Sequence, residues 1–249
     1  MIQKFNYDPF IKSKSNIEKR LCKEYKTLLE FEEYLESIHP TIKAQFVFNF
    51  DNLMKNRLNI QEFDNRKYVY FKYSLSFCKD IDLVEPYLKD FIRVIKYPIY
   101  HYYQVFIKIY GRERGIYHIK YFIDVVMKDK YPNINKPEDL SYLMGNSDSK
   151  LYPTESFGIM VNKGKVCNRI TRCLWHEVLS RCLHDKEVAY LTSCYWDFMN
   201  FESLGKYFHI TRSKCLMLGD SYCDPCSWDL RYNDIITHPS SEFFEKLKF

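Results

Sequence analysis

Apolar residues recur at helical spacing through the first half of the chain and shift towards alternation in the second. Between residues 16 and 38, Ile17, Leu21, Tyr25, Leu28, Leu29 and Phe31 fall close to a helical repeat; Asn16 suits the N-cap, and Pro40 stops the segment after its end. The aromatic run KYVYFKYSLSF (67–77) reads as a strand, or as an extended lead into a helix beginning near Asp82, where Glu85 and Pro86 fit a first turn. That helix reaches about Tyr110 with an interruption near Pro98. After the GRERG turn at 111–115, a second helix is predicted over Tyr117 to Lys128. Residues 130–155 are polar, contain three prolines, and read as a connector or an active-site lid.

In the second half, FGIMVNKGKVCNRI (157–170) predicts two strands joined by a turn at Lys163–Gly164. LWHEVLSRCL opens a helix, and Glu187 to Leu204 reads as a further helical run. Residues 206–218 alternate as a strand, Gly219–Asp220 signals a tight hairpin, and 221–232 forms the return strand, with Pro225 marking an edge or a bulge. The fold class is therefore α+β: a helical region at 1–130, a connector at 131–155, a mixed region at 156–236 and a tail at 237–249, packed as one unit.

The length of 249 residues suffices for one large or two small domains with a buried core. Abundant Tyr and Phe with scarce Gly and Pro argue against long disordered linkers. The start, MIQKFNYDPFIKSKSNIEKR, has no apolar core or cleavage site of a secretory signal. The most apolar stretch, Val84 to Val126, is broken by charges and by GRERG, so no membrane-spanning helix is expected. Nine irregularly spaced cysteines, without a signal peptide, read as reduced thiols in a cytoplasmic protein. A net charge of +5, with basic and acidic residues interleaved, reads as a solvated surface and not as a nucleic-acid footprint. The expected partner is a small molecule, and the edge implied by Pro225 is compatible with a homodimer.

Six of the nine cysteines lie between Arg172 and Tyr232. Cys173 and His176 fall where a strand meets a helix; unpaired N–H groups and an imidazolium there favour a thiolate, while a structural cysteine beside a surface histidine is the alternative. Cys194 and Asp197 are one turn apart on a predicted helix. A carboxylate raises a neighbouring thiol pKa, so Asp197 suits orienting a histidine or binding a substrate amino group; a buried cysteine beside a surface aspartate is the other reading. Cys223 and Cys226 have redox or zinc spacing, and zinc would need Cys215 or His209 as well; otherwise they are solitary hairpin cysteines. Asp220 also reads as a plain turn residue. Phosphate loops, HExxH and GxSxG are absent, and no cofactor or metal is called for.

In order, these residues are Arg172–Cys173, Cys194–Asp197, and Arg212 followed by Gly219–Asp220 and Cys223. The combination resembles the L-2-amino-thiazoline-4-carboxylic acid hydrolase family over about 157–232, and the closing hairpin is similar to vinyl-reductase-type small-molecule-binding domains. The chain departs from the pattern at Asp224-Pro225-Cys226 and at Leu174-Trp175-His176. The resemblance implies hydrolysis at the C=N/C–S carbon of a 2-amino-thiazoline or amidine-like molecule. Cys194 is the first choice of nucleophile and Cys173 the second; His176 would shuttle the proton and Asp197 bind the amidinium. Arg172, Arg212, Asp220 and Cys223 are the further substrate-binding candidates. Two alternatives stay open: a tailoring enzyme closing or opening such rings in natural-product biosynthesis, and a non-catalytic binding domain.

Overall fold

The computed structural model describes residues 14–63, 65–77, 84–128, 140 and 154–247. The chain divides into two compact units, residues 8–122 and the chain from Ile123 onward. The helix start expected near Asp82 and the connector at 131–155, Leu140 and the first residues of β1 (below) apart, lie outside the described residues.

The first unit consists of α1 (Lys14–Ile38), α2 (Pro40–Leu58), α3 (Arg66–Leu75), α4 (Val84–Tyr110) and α5 (Arg112–Tyr121). Pro40 starts a helix as well as following one: it occupies the first turn of α2, where a missing N–H leaves no bond unmade. The aromatic run at 67–77 is helical, not extended. Asn65 caps α3 by accepting from the Tyr68 amide at 3.1 Å, and Val69, Tyr70 and Tyr73 share its buried side. Helix α4 continues through Pro98 without the expected interruption; its residues from Val94 to Tyr100 are nearly all buried, and that packing outweighs the local cost of the proline. The GRERG segment is a helix start, with Gly111 at φ +88° ending α4. A Cβ on Gly115 would sit 3.0 Å from Ile107 Cγ1, so glycine lets α4 and α5 meet at backbone distance.

Phe31 of α1 is the hub of this unit, meeting the rings of Phe46, Tyr102, Tyr103, Phe106 and Phe122, each at 5.0–5.7 Å between centroids. Such tilted and edge-on pairs each add about 0.5–1.5 kcal/mol beyond burial. Arg66 gathers three helices from one side: its guanidinium meets Glu32 of α1 at 2.7 and 2.9 Å and Asp51 of α2 at 2.8 Å. Arg66→Ala strands two partly buried carboxylates, and we expect urea unfolding of this unit to report a loss of about 2–4 kcal/mol. Arg66→Lys, which keeps charge without the bidentate fork, is expected to recover only part of it.

A π-helical turn (Phe122–Met127) begins at the last residue of the first unit, and the second unit then holds β1 (Thr154–Asn162), β2 (Lys165–Cys173), α6 (Leu174–Cys182), α7 (Lys186–Thr192), α8 (Trp196–Glu202), β3 (Phe208–Thr211), β4 (Cys226–Asp229) and α9 (Ser241–Lys246). The four strands form one antiparallel sheet in the order β1-β2-β4-β3, so the chain is α+β as its pattern indicates. Alternation along β2 sends Val166 to Phe201, Leu204 and Phe208, and Cys167 to Trp228, Phe244 and Leu247. The sheet is thus covered by α8 on one face and by the C-terminal segment on the other.

Several expectations change here. The run 187–204 is two helices with a break at 193–195. The stretch 206–218 is a short strand followed by a 3₁₀ turn (Leu216–Leu218), so Gly219–Asp220 closes that turn and does not form a hairpin. Pro225 precedes an interior strand, its carbonyl accepting from the Asn168 amide at 2.9 Å; the sheet edges are β1 and β3, so Pro225 supplies no edge for a homodimer. Cys167 and Cys226 face each other across β2 and β4 with Cα atoms 4.3 Å apart and are disulfide-bonded, which corrects both the fully reduced complement and the solitary Cys226. Among the described residues, no helix is long and apolar enough to cross a membrane. Reduction of this bond, which links residues 59 apart in sequence, is expected to lower the stability of the second unit by about 4 kcal/mol on loop-closure grounds, measured by denaturant unfolding with and without reductant.

Candidate active site

The segment after β3 carries Arg212, Ser213, Lys214 and Cys215 past the break at 193–195 and alongside residues 220–224. Arg212 is the centre of what results. Only 6% of its side chain is exposed, yet it is a permanent cation, so its surroundings must compensate the lost water. Its Nη2 donates to Asp197 Oδ2 at 2.7 Å and its Nη1 to the Cys194 carbonyl at 3.1 Å. The guanidinium lies 5.5 Å from the Phe198 ring centroid, and burial raises the pKa of the nearby Tyr190 hydroxyl, opposed by the charge of Arg212.

Beside this charge three thiols meet. The Cys223 Sγ donates to Cys215 Sγ at 3.9 Å, the Leu216 amide donates to Cys223 Sγ at 3.2 Å, and the Cys194 thiol lies close enough to Cys215 to shift its ionisation. Cys215 and Cys223 are buried, whereas Cys194 and Cys173 are partly exposed. Hydrogen bonds from Cys194 and Cys223 hold the Cys215 thiol well below its ordinary range, helped by Arg212 and the Met217 amide and opposed by burial. Donating to Cys215, together with burial, pushes the Cys194 and Cys223 thiols up. Within this group of interacting sulfurs the electrostatics favour ionisation at Cys215 over Cys194 and Cys223.

The other sequence candidates take defined places. Cys173 is the N-cap of α6 without a side-chain capping bond; the nearby amides of His176 and Trp175 favour its thiolate, but burial outweighs them and raises its pKa. His176 stands in the electrostatic field of Cys215, and burial lowers its pKa, favouring the neutral imidazole. Arg172 donates to Glu177 Oε1 at 2.6 Å. Asp220 accepts from the Cys215 amide at 2.7 Å, so it shapes the turn that presents Cys215. Cys194 and Asp197 are not on one helix: Cys194 sits in the break and Asp197 in the first turn of α8. Cys226 is bonded to Cys167, so Cys223 and Cys226 do not form a chelating pair. His209 meets Glu202 at 3.8 Å.

Two participants escaped the sequence reading as site residues, Cys215 and Tyr190. Cys215 was hidden by assigning 206–218 to one strand; its signal is its position three residues after Arg212.

A thiol cluster beside a buried arginine is thus carried by an α+β unit, an antiparallel sheet with flanking helices. The family model of L-2-amino-thiazoline-4-carboxylic acid hydrolase matches residues 132–226, the stretch that holds Cys173, Cys194, Arg212, Cys215 and Cys223. The match supports the resemblance carried by those motifs. No curated protein and no solved structure matches the chain.

Asp224, fully buried next to Cys223, fixes the Arg212–Cys215 segment. Its Oδ1 accepts from the amides of Ser213 and Lys214, both at 2.8 Å. Burial opposes its ionisation, but hydrogen bonds from His238, Ser213 and Lys214 prevail and hold its carboxyl well below the usual carboxylate range. A depressed pKa stabilises the folded state above the unfolded value and loses that effect as pH falls. Asp224→Asn should cost about 2–4 kcal/mol near neutral pH, and unfolding curves should show the gap from the parent narrowing below about pH 4.

Proposed function

We propose that the second unit opens a 2-amino-thiazoline or similar cyclic amidine by covalent thiol catalysis, with Cys194 as nucleophile and Cys215 as its proton acceptor. What supports this reading is the interaction between the thiol of Cys194, a partly exposed residue, and the buried Cys215 sulfur, whose pKa is lowered. Cys215 is too enclosed to attack, and Cys194 as a thiol is too weak; passing one proton between them joins access to nucleophilicity.

In the first step the Cys194 sulfur bonds to the amidine carbon while its proton moves to Cys215. The ring C–S bond then breaks, the electron pair stays on the ring sulfur, and neutral His176 relays to it the proton that Cys215 took up, which frees Cys215 again. This leaves an isothiourea on Cys194. Water adds to the same carbon, the bond to Cys194 breaks, and a urea departs as the thiol is restored. Asp197, half exposed and anchored by Arg212, pairs with the amidinium. Arg172, Asp220 and Cys223 hold the surroundings of the reacting groups.

Turnover of a 2-amino-thiazoline carboxylate by purified variants tests this scheme. Cys194→Ala should abolish it, Cys215→Ser should lower kcat on the order of a hundredfold, and Cys173→Ala should leave most of it. Brief iodoacetamide labelling with peptide mapping should mark Cys194 first, and more slowly in Cys215→Ser. Full turnover in both Cys194→Ala and Cys173→Ala would end the covalent proposal.

A further inference from the structure

The C-terminal segment lies beyond residues 132–226, the part of the chain that resembles the hydrolase family, yet one of its side chains closes a hydrogen-bond chain around the Arg212–Cys215 segment. Trp228 Nε1 donates to Thr211 Oγ1 at 2.9 Å. The Thr211 hydroxyl has one proton, and the His238 Nδ1 lies 2.8 Å away. With that nitrogen accepting, His238 carries its proton on Nε2, which lies 3.1 Å from Asp224 Oδ2. Asp224 Oδ2 also accepts from the Ser213 hydroxyl, and the Asp224 amide donates to the Lys214 carbonyl at 3.3 Å. Residues 211, 213 and 214 are thus tied to one buried carboxylate–imidazole pair, and Asp220 takes the amide of 215.

His238 is itself held from behind. Its ring stacks on Phe244 of α9, with centroids 5.4 Å apart and planes 24° from parallel, and Phe244 is fully buried. Farther along, the Leu247 carbonyl accepts from Arg169 of β2 at 2.9 Å.

We propose that His238 is a positioning residue of the thiol site, and that the C-terminal segment is a working part of it. His238 touches neither Arg212 nor a thiol in this arrangement; it acts through Asp224 and Thr211, which set where the guanidinium and Cys215 stand. This rests on the reading of Cys215 as the anionic sulfur, and the experiment separates the two.

The probe is thiolate ultraviolet absorbance of the full-length protein at about pH 6, where an ordinary thiol is protonated. The difference between the parent and Cys215→Ser measures the Cys215 thiolate; a zero difference would defeat the underlying reading and leave His238 with nothing to position. Given a positive difference, His238→Phe keeps the stack on Phe244 but loses both polar contacts, and should lower the signal about tenfold as Cys215 drifts from its donors. His238→Gln, which can still donate to Asp224, should restore most of it. If His238→Phe does not fold, Thr211→Val removes the hydroxyl link without changing side-chain size and should lower the signal in the same sense. A full signal in the folded His238→Phe or Thr211→Val protein would overturn the proposal, since a merely structural histidine shifts the unfolding temperature without altering the thiolate.

Discussion

A guanidinium ion out of water is the constraint from which the second unit takes its form. Arg212 cannot shed its charge, so its neighbours must present negative or acceptor groups at hydrogen-bond range. Asp197 supplies a carboxylate at 2.7 Å, the broken helix turn supplies the Cys194 carbonyl, and the thiol cluster supplies the Cys215 sulfur, whose ionisation is favoured. Each of those groups is where it is because a piece of regular structure stops: the helical run fails at 193–195, and β3 ends at Thr211. The Cys194 carbonyl accepts from the Asp197 amide at 3.3 Å as well as from Arg212, using both of its lone pairs. The interruptions thus help to make the charge tolerable.

The two units meet the demands of burial in different ways. The first fills its interior with rings, and a bidentate fork at Arg66 joins Glu32 and, through a further bond, Asp51. Aromatic side chains lose little rotamer freedom for the area they bury. The second unit places small, polarizable sulfurs where its charge sits. Thiols share a proton over longer distances than hydroxyls and accept weak hydrogen bonds without a strict geometry.

Much of this was legible in the residues. The α+β class followed from the change of period, and the gathering of Cys173, Cys194, Asp197, Arg212 and Cys223 from their order. What the pattern hid was decided by tertiary packing. The aromatic run at 67–77 has strand composition but an Asn cap and a buried helical side, and Pro98 is overruled by the apolar surface around it. Cys215 looked like one position of an alternating strand because its amide partner, Asp220, and its sulfur partners, Cys194 and Cys223, are remote or belong to other segments. His238 gave no local signal at all: its role exists only once Thr211 and Asp224 have been brought to either side of it.

The spacing of Cys223 and Cys226 has one more consequence. The antiparallel register runs unbroken from Lys165 opposite Trp228 to Ile170 opposite Cys223, so the two cysteines, an odd number of residues apart, project from opposite faces. One face carries the oxidised Cys167–Cys226 pair, the other the reduced thiols around Cys215. The sheet thus insulates two sulfur populations that would otherwise exchange, since a thiolate attacks any disulfide it can reach in line. Asp224 and Pro225 are the thickness of that insulation counted in residues. A chain shorter by either one would turn Cys223 over to the side of the disulfide, and the charge on Cys215 would have a bond to attack instead of a proton to share.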